Sequence, residues 1–124
     1  MEVITTNNAP AAIGPYSQAI KTGSLLFVSG QIPLDPVSGE IVSGGVAEQT
    51  TRVLDNLQAV VEAAGTTMQN VAKVQIFLTD MQSFAEVNEI YASYFSAPFP
   101  ARACVEVSAL PKGVLVEMDA VVEL

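Results

Sequence analysis

Two stretches of the chain repeat apolar residues every three to four positions. Val53, Leu57, Val60, Val61 and Ala64 share one face of a helix predicted over roughly 46–64. Glu48 and Arg52 stand at i,i+4 on its polar side, and Gly65 follows as a stop. A second helix is predicted over roughly 84–95, with Phe84, Val87, Ile90, Tyr91, Tyr94 and Phe95 as its buried stripe. Ser83 and Glu86 have the capping-box spacing at its start, and Pro98 limits its extension.

Elsewhere the period is two. Val74, Ile76 and Leu78 alternate with Lys73, Gln75 and Phe77. Ala101, Ala103, Val105 and Val107 alternate with Arg102, Cys104, Glu106 and Ser108. Val114, Val116, Met118, Ala120 and Val122 alternate with Leu115, Glu117, Asp119 and Val121. A short apolar strand over 25–29 follows the turn Thr22-Gly23-Ser24 and precedes a loop rich in turn residues, Pro33 to Gly39. With short strands near 2–5 and 17–21, the order is β-β-β-α-β-α-β-β. It predicts an α+β domain with two helices packed on one face of a mixed sheet. The other face carries isolated charges among apolar residues, which points to assembly.

Composition narrows the chemistry. The chain has 124 residues, half of them apolar, with no histidine, no tryptophan and one cysteine. A chain of this length buries roughly two-thirds of its unfolded surface, enough for one core. Without histidine there is no Ser-His-Asp or Cys-His triad, and one cysteine excludes an internal disulfide or a cysteine-rich metal cradle. Thirteen acids against five bases give a net charge of −8, which disfavours nucleic acid and anionic membrane as partners. No apolar run approaches the ~20 residues of a membrane span, and the N-terminus lacks the pattern of a secretory signal. The expected compartment is cytoplasmic. Gly44 and Gly45 belong to no phosphate-loop motif.

The last two strands hold the most informative group. Arg102 and Cys104 share one strand face, as do Glu117 and Asp119. The connection Ala109-Leu110-Pro111-Lys112 is short enough for an antiparallel hairpin. Pairing Ser108 with Gly113 would set Cys104 opposite Glu117 and Arg102 opposite Asp119. One reading is an anion site, with a guanidinium fork for a carboxylate and a glutamate that orients or deprotonates water. The other is a cross-strand ion pair at a subunit contact. Cys104 is read as a small buried hydrophobe or a nucleophile, although no histidine is present to activate it. Tyr16, presented by the turn at Gly14-Pro15, either donates to a ligand or caps the core. Gly30 either admits a ligand to the backbone or ends its strand. Asn88 lies off the apolar stripe of its helix and is expected to face solvent.

Several segments resemble, in order, the motifs of the Rid family, formerly YjgF, and most nearly its RidA subgroup of imine/enamine deaminases. They are Ala11-Ala12-Ile13-Gly14-Pro15-Tyr16-Ser17-Gln18-Ala19, Val28-Ser29-Gly30-Gln31-Ile32-Pro33, and Phe99-Pro100-Ala101-Arg102-Ala103-Cys104-Val105-Glu106-Val107. Leu110-Pro111, Val116-Glu117-Met118-Asp119-Ala120, Ala63-Ala64-Gly65 and Val87-Asn88 also fit. The resemblance spans nearly the whole chain. It implies one RidA-like domain over 1–124 with a chorismate-mutase-like fold. It also implies a homotrimer around a central barrel, with active sites in the clefts between subunits. The implied reaction is hydrolysis of 2-iminobutanoate and 2-iminopropanoate to 2-keto acids and ammonia, with no cofactor and no metal. By position, Arg102 would pair with the substrate carboxylate and Glu117 would hold the attacking water. The backbone at Cys104 and Gly30 would contact the polar end of the substrate, and Tyr16, Ser29 and Asn88 would line the pocket. Met118-Asp119 departs conservatively from the isoleucine and glutamate usual in the family. Two alternatives remain open: a module that binds a small carboxylate without turnover, and an RNA-directed translation inhibitor, against which the charge weighs.

Overall fold

In the computed structural model, which describes residues 1–124, the strands are β1 (Glu2–Ile4), β2 (Ala19–Thr22), β3 (Leu25–Gln31), β4 (Val71–Leu78), β5 (Ala101–Glu106) and β6 (Val116–Glu123). The helices are α1 (Val46–Ala63) and α2 (Phe84–Ala92). The strands form one sheet in the order β1-β2-β3-β6-β4-β5. Only β4 and β5 run parallel; every other neighbouring pair is antiparallel. This is the α+β arrangement that the element order predicts, with both helices on one face of a mixed sheet. Each helix is a crossover between parallel strands, α1 from β3 to β4 and α2 from β4 to β5.

The core lies between the helices and the sheet. Val53, Leu54, Leu57, Val60 and Val61 of α1 are fully buried, against Leu26, Val74, Ile76, Leu78, Val116, Met118 and Val122 of the strands. Each such side chain contributes about 1.5–3 kcal/mol on burial. β6 sits between β3 and β4, and its burial alternates along its length: Val116, Met118, Ala120 and Val122 lie under the helices, while Glu117, Asp119 and Val121 face the other way, partly exposed. That other face has no cover within the chain and exposes Val3, Leu25, Phe27 and Val105.

The expected hairpin of the last two strands does not form. β5 pairs with β4, Val74 beside Arg102 and Ile76 beside Cys104. β6 pairs with β4 on its far side, Phe77 beside Glu117 and Gln75 beside Asp119. β4 therefore separates the two strands. The fully alternating β6 can satisfy a neighbour on each edge and takes a central place. The connection climbs over the end of β4, where Val107 N–H donates to Leu78 O and Thr79 N–H donates to Leu115 O. A tight turn over Pro111–Gly113 follows, with Lys112 left-handed at φ 58°.

Helix ends differ in detail from the sequence pattern. Ser83 has helical backbone angles and makes no capping bond. A 3-10 turn over Met81–Ser83 precedes it, and Asp80 caps that turn by accepting from Gln82 N–H. α2 stops at Ala92, where Ser93 and Tyr94 N–H groups turn back to Ile90 O and Tyr91 O. In α1, Glu48 accepts from Gly45 N–H instead of pairing with Arg52, and Arg52 Nε donates to Asn56 Oδ1 at 3.0 Å.

Buried amides tie the loops to this frame. Asn56, fully buried, donates through Nδ2 to Ile32 O and Leu34 O at 3.2 and 3.0 Å. Gln49 Oε1 accepts from Leu115 N–H. Gln18 accepts from Thr6 N–H and donates to the carbonyls of Thr6, Ala9 and Pro10, which fastens the chain between β1 and β2. Replacing Asn56 by alanine removes the side-chain donor from Leu34 O, leaves Ile32 O with Leu34 N–H alone, and leaves Arg52 Nε without its acceptor. Asn56→Ala is expected to lower the unfolding free energy in urea denaturation by about 1–3 kcal/mol; an unchanged midpoint would show that the loop is held by other contacts.

Candidate functional site

The period of two along the strands decides where the candidate residues go. Arg102 and Cys104 lie beside Val74 and Ile76, which are buried under the helices, so they project from the helix-bearing face. Glu117 and Asp119 lie beside Phe77 and Gln75 and project from the uncovered face. The expected opposition of Cys104 to Glu117 and of Arg102 to Asp119 is therefore absent. A chain contains two half-sites, on opposite faces of its own sheet.

The first half-site is built on β5 and α2. It is a pocket of about 440 Å³ lined by Asn88, Tyr91, Ala92, Phe99, Pro100 and Arg102. Arg102 Nη1 donates to Asn88 Oδ1 at 2.6 Å, so Asn88 is not the solvent-facing residue that its helix position suggests. An amide oxygen holds the guanidinium, which leaves its charge uncompensated at that contact. Cys104 is half-buried and packs against the core. Burial pushes its thiol up, and the nearby positive charge of Arg102 only partly opposes this. A thiol kept protonated is a poor nucleophile.

The second half-site is built on the ends of β3 and β6. It is a pocket of about 370 Å³ lined by Ile13, Tyr16, Ser29, Gly30, Ile32, Pro111 and Glu117. Tyr16 is 47% exposed; its hydroxyl accepts from Ile13 N–H at 3.3 Å, which leaves its own proton free to donate. Ser29 donates its hydroxyl to Ser17 O, so its side chain fixes the local backbone. A side chain at Gly30 would displace the carboxylate: a Cβ there would stand 2.7 Å from Glu117 Oε2 and 3.0 Å from Glu117 Cδ. The carboxylate lies directly over the Gly30 backbone.

Burial pushes the Glu117 carboxyl above its ordinary value, and the like charge of Asp119 adds to the effect. Asp119 is itself raised by burial, with Lys73 pulling the other way. A carboxylate held in this state is a stronger base than a free one. No group of His, Cys, Asp and Glu side chains is placed to hold a metal ion.

The sequence pattern names residues of both pockets but not their separation. It also misses the aromatic surroundings of Arg102. Its guanidinium carbon lies 4.9 Å from the Tyr91 ring centroid and 5.4 Å from that of Phe84. The signal available was the i, i+4, i+7 spacing of Phe84, Asn88 and Tyr91, one face of α2.

The Glu117 carboxyl is expected to titrate above 4.5, its ordinary value, when followed by ¹³C NMR. Asp119→Asn removes the like charge and is expected to lower that midpoint without restoring it fully, because burial is the larger cause. A midpoint at or below 4.5 in the parent chain would contradict this electrostatic picture.

Comparisons with known proteins bear on the family and the fold. A family model described as Endoribonuclease L-PSP matches residues 6–124. A RutC family protein of Sinorhizobium fredii is 55% identical over 124 residues, covering 100% of this chain and 98% of that protein. The 2-iminobutanoate/2-iminopropanoate deaminase of Homo sapiens is 50% identical over 119 residues, covering 96% of this chain and 87% of that protein. Among solved structures, RidA from the Antarctic bacterium Psychrobacter aligns over 100% of both chains with a TM-score of 0.97 at 42% identity. E. coli TdcF with bound serine covers 100% of this chain and 99% of its own, with a TM-score of 0.94 at 40% identity. With the motifs, the sheet order and the match to nearly every residue in agreement, the chain belongs to the Endoribonuclease L-PSP family, the Rid (YjgF) family that its sequence motifs resemble.

Proposed function

We propose that this protein is a 2-imino acid deaminase that hydrolyses 2-iminobutanoate and 2-iminopropanoate to 2-keto acids and ammonia. The observation that carries the reading is the uncompensated Arg102 guanidinium, fixed at one end by Asn88 and open to a pocket. Its planar fork suits a carboxylate through two parallel hydrogen bonds. The name of the human relative and the serine in the TdcF structure, a small molecule with a carboxylate beside an amine-bearing carbon, support the substrate class.

The two half-sites face opposite ways, so the reading includes assembly. A second copy brings its Glu117 half-site to the Arg102 half-site of the first, in a homotrimer whose uncovered sheet faces meet around a central barrel. The exposed Val3, Phe27 and Val105 on that face gain cover in this way.

The chemistry then follows. Arg102 fixes the carboxylate, and the imine carbon comes to lie beside a water held by Glu117 of the neighbouring copy. The water oxygen bonds to the imine carbon as one proton passes to the Glu117 carboxylate. Glu117 returns that proton to the amine nitrogen of the carbinolamine, the carbon–nitrogen bond breaks with its electron pair leaving on ammonia, and the remaining hydroxyl proton passes to the Glu117 carboxylate, and from it to solvent, as the carbonyl of the keto acid forms. The imine is already electrophilic when protonated, so positioning supplies most of the acceleration. The backbone N–H groups at Gly30 and Cys104 are the donors for the polar end of the substrate, and Tyr16 offers its free hydroxyl proton. No step uses a cofactor. No helix is long and apolar enough to cross a membrane, and a charge of −8 weighs against an RNA substrate despite the family description.

The test is a coupled assay in which an imino acid is generated enzymatically and ammonia release is timed. Glu117→Gln is expected to reduce turnover by ~10²–10⁴-fold, the range of a positioned acid–base group. Arg102→Lys keeps the charge but loses the fork, and is expected to weaken 2-ketobutyrate binding by roughly 10- to 150-fold, the equivalent of about 1.5–3 kcal/mol. Because the base must be ionised, the rate is expected to fall on acidification as the Glu117 carboxylate takes up a proton. Saturable keto-acid binding with no acceleration of imine hydrolysis would replace the enzyme reading with a binding module.

A further inference from the structure

We infer that Phe84 and Tyr91 are positioning residues for Arg102, whose rings hold the guanidinium ready to receive a carboxylate. The inference rests on the reading of Arg102 as the carboxylate anchor. Arg102 stands on the edge strand β5 and is exposed. An arginine in that setting samples many rotamers and loses that freedom when it binds. Here three contacts restrict it before any ligand arrives. The guanidinium carbon is 4.9 Å from the Tyr91 centroid and 5.4 Å from the Phe84 centroid, within the ~6 Å reach of a cation–π contact. Asn88 Oδ1 accepts from Nη1 between them.

Residues 84, 88 and 91 follow one stripe of α2, so a single rigid helix carries the whole seat. Tyr91 is itself fixed. It is 4% exposed, and its ring packs on Phe95 at 4.6 Å between centroids. Asn88 takes one terminal nitrogen, and no other nitrogen of Arg102 hydrogen-bonds within the chain. The remainder of the fork is left for a ligand.

The Tyr91 hydroxyl separates a role for the ring from a role for the phenol. It is buried with no hydrogen-bond partner, whereas a buried tyrosine usually finds one. The position therefore uses the ring, and phenylalanine should serve equally well.

The experiment follows the ¹⁵Nε resonance and side-chain order of Arg102 in the ligand-free protein, together with 2-ketobutyrate affinity, in Tyr91→Leu, Phe84→Leu and Tyr91→Phe. Both leucine variants are expected to loosen Arg102 and to weaken binding by about 2- to 30-fold, which corresponds to ~0.5–2 kcal/mol for a cation–π contact at ~1.4 kcal/mol per tenfold. Tyr91→Phe is expected to keep Arg102 ordered and the affinity at the parent level. Phe84 is only half-buried, so Phe84→Leu provides the test if Tyr91→Leu does not fold. Unchanged Arg102 order in the folded leucine variants, or loss in Tyr91→Phe equal to that in Tyr91→Leu, would overturn the inference. Parent-level ketobutyrate binding by Arg102→Lys would instead remove the anchor reading, while the ligand-free order of Arg102 would still decide whether the rings hold it.

Discussion

The alternation of side chains along a strand sets the terms for everything else in this molecule. Arg102 shares a face with Val74 and Ile76, and Glu117 shares a face with Phe77, so β4 separates the two groups and the sheet lies between them. No rotamer change can bring them together within one chain. A chemistry that needs both an arginine and a carboxylate must draw them from two copies, and the uncovered sheet face offers a surface on which copies can meet. Assembly and catalysis are in this account consequences of one geometric rule.

Each half-site shows its own form of preparation. On the helix side, the guanidinium is seated by an amide and two rings, with no carboxylate of its own chain neutralising it at that seat. On the open side, Glu117 lies against Gly30, where any side chain would displace it, and beside Asp119, whose charge disfavours its ionised form. Held apart, the cation and the anion each lack the partner that would quench them. In the proposed assembly, a small molecule with a carboxylate at one end and an electrophilic carbon beside it would lie between these groups. The half-buried Cys104 lies on the same face as Arg102, and burial favours its protonated thiol.

Much of this was legible in the sequence. The periodic runs gave α1 nearly to the residue, and the alternation in 114–122 gave the burial of β6 position by position. The motifs around Tyr16, Gly30, Arg102 and Glu117 named the groups that the structure gathers into the two half-sites. What was not legible was the pairing of β5. A short connection between two alternating strands reads as a hairpin, because nothing local reveals that β4 has its own claim on the edge beside Arg102. Ser83 and Glu86 have the spacing of a capping box, but a preceding 3-10 turn already gives Ser83 helical angles. Asn56 and Gln49 interrupt the apolar stripe of α1 at core positions, which signals a buried polar role. Arg52 apart, their acceptors and donors lie 22 to 66 residues away, and no local pattern identifies them.

The central claim is that Arg102 and Glu117 act across a subunit boundary, and complementation tests it most directly. Chains carrying Arg102→Ala and chains carrying Glu117→Gln, each inactive alone, would be mixed in equal amounts, unfolded and reassembled together. If sites form between copies, about one quarter of the interfaces in randomly mixed trimers join an intact Arg102 to an intact Glu117. Imine hydrolysis should then recover to about that fraction of the parent activity. A mixture that remains as inactive as either variant, with trimers shown to have exchanged subunits, would contradict the account.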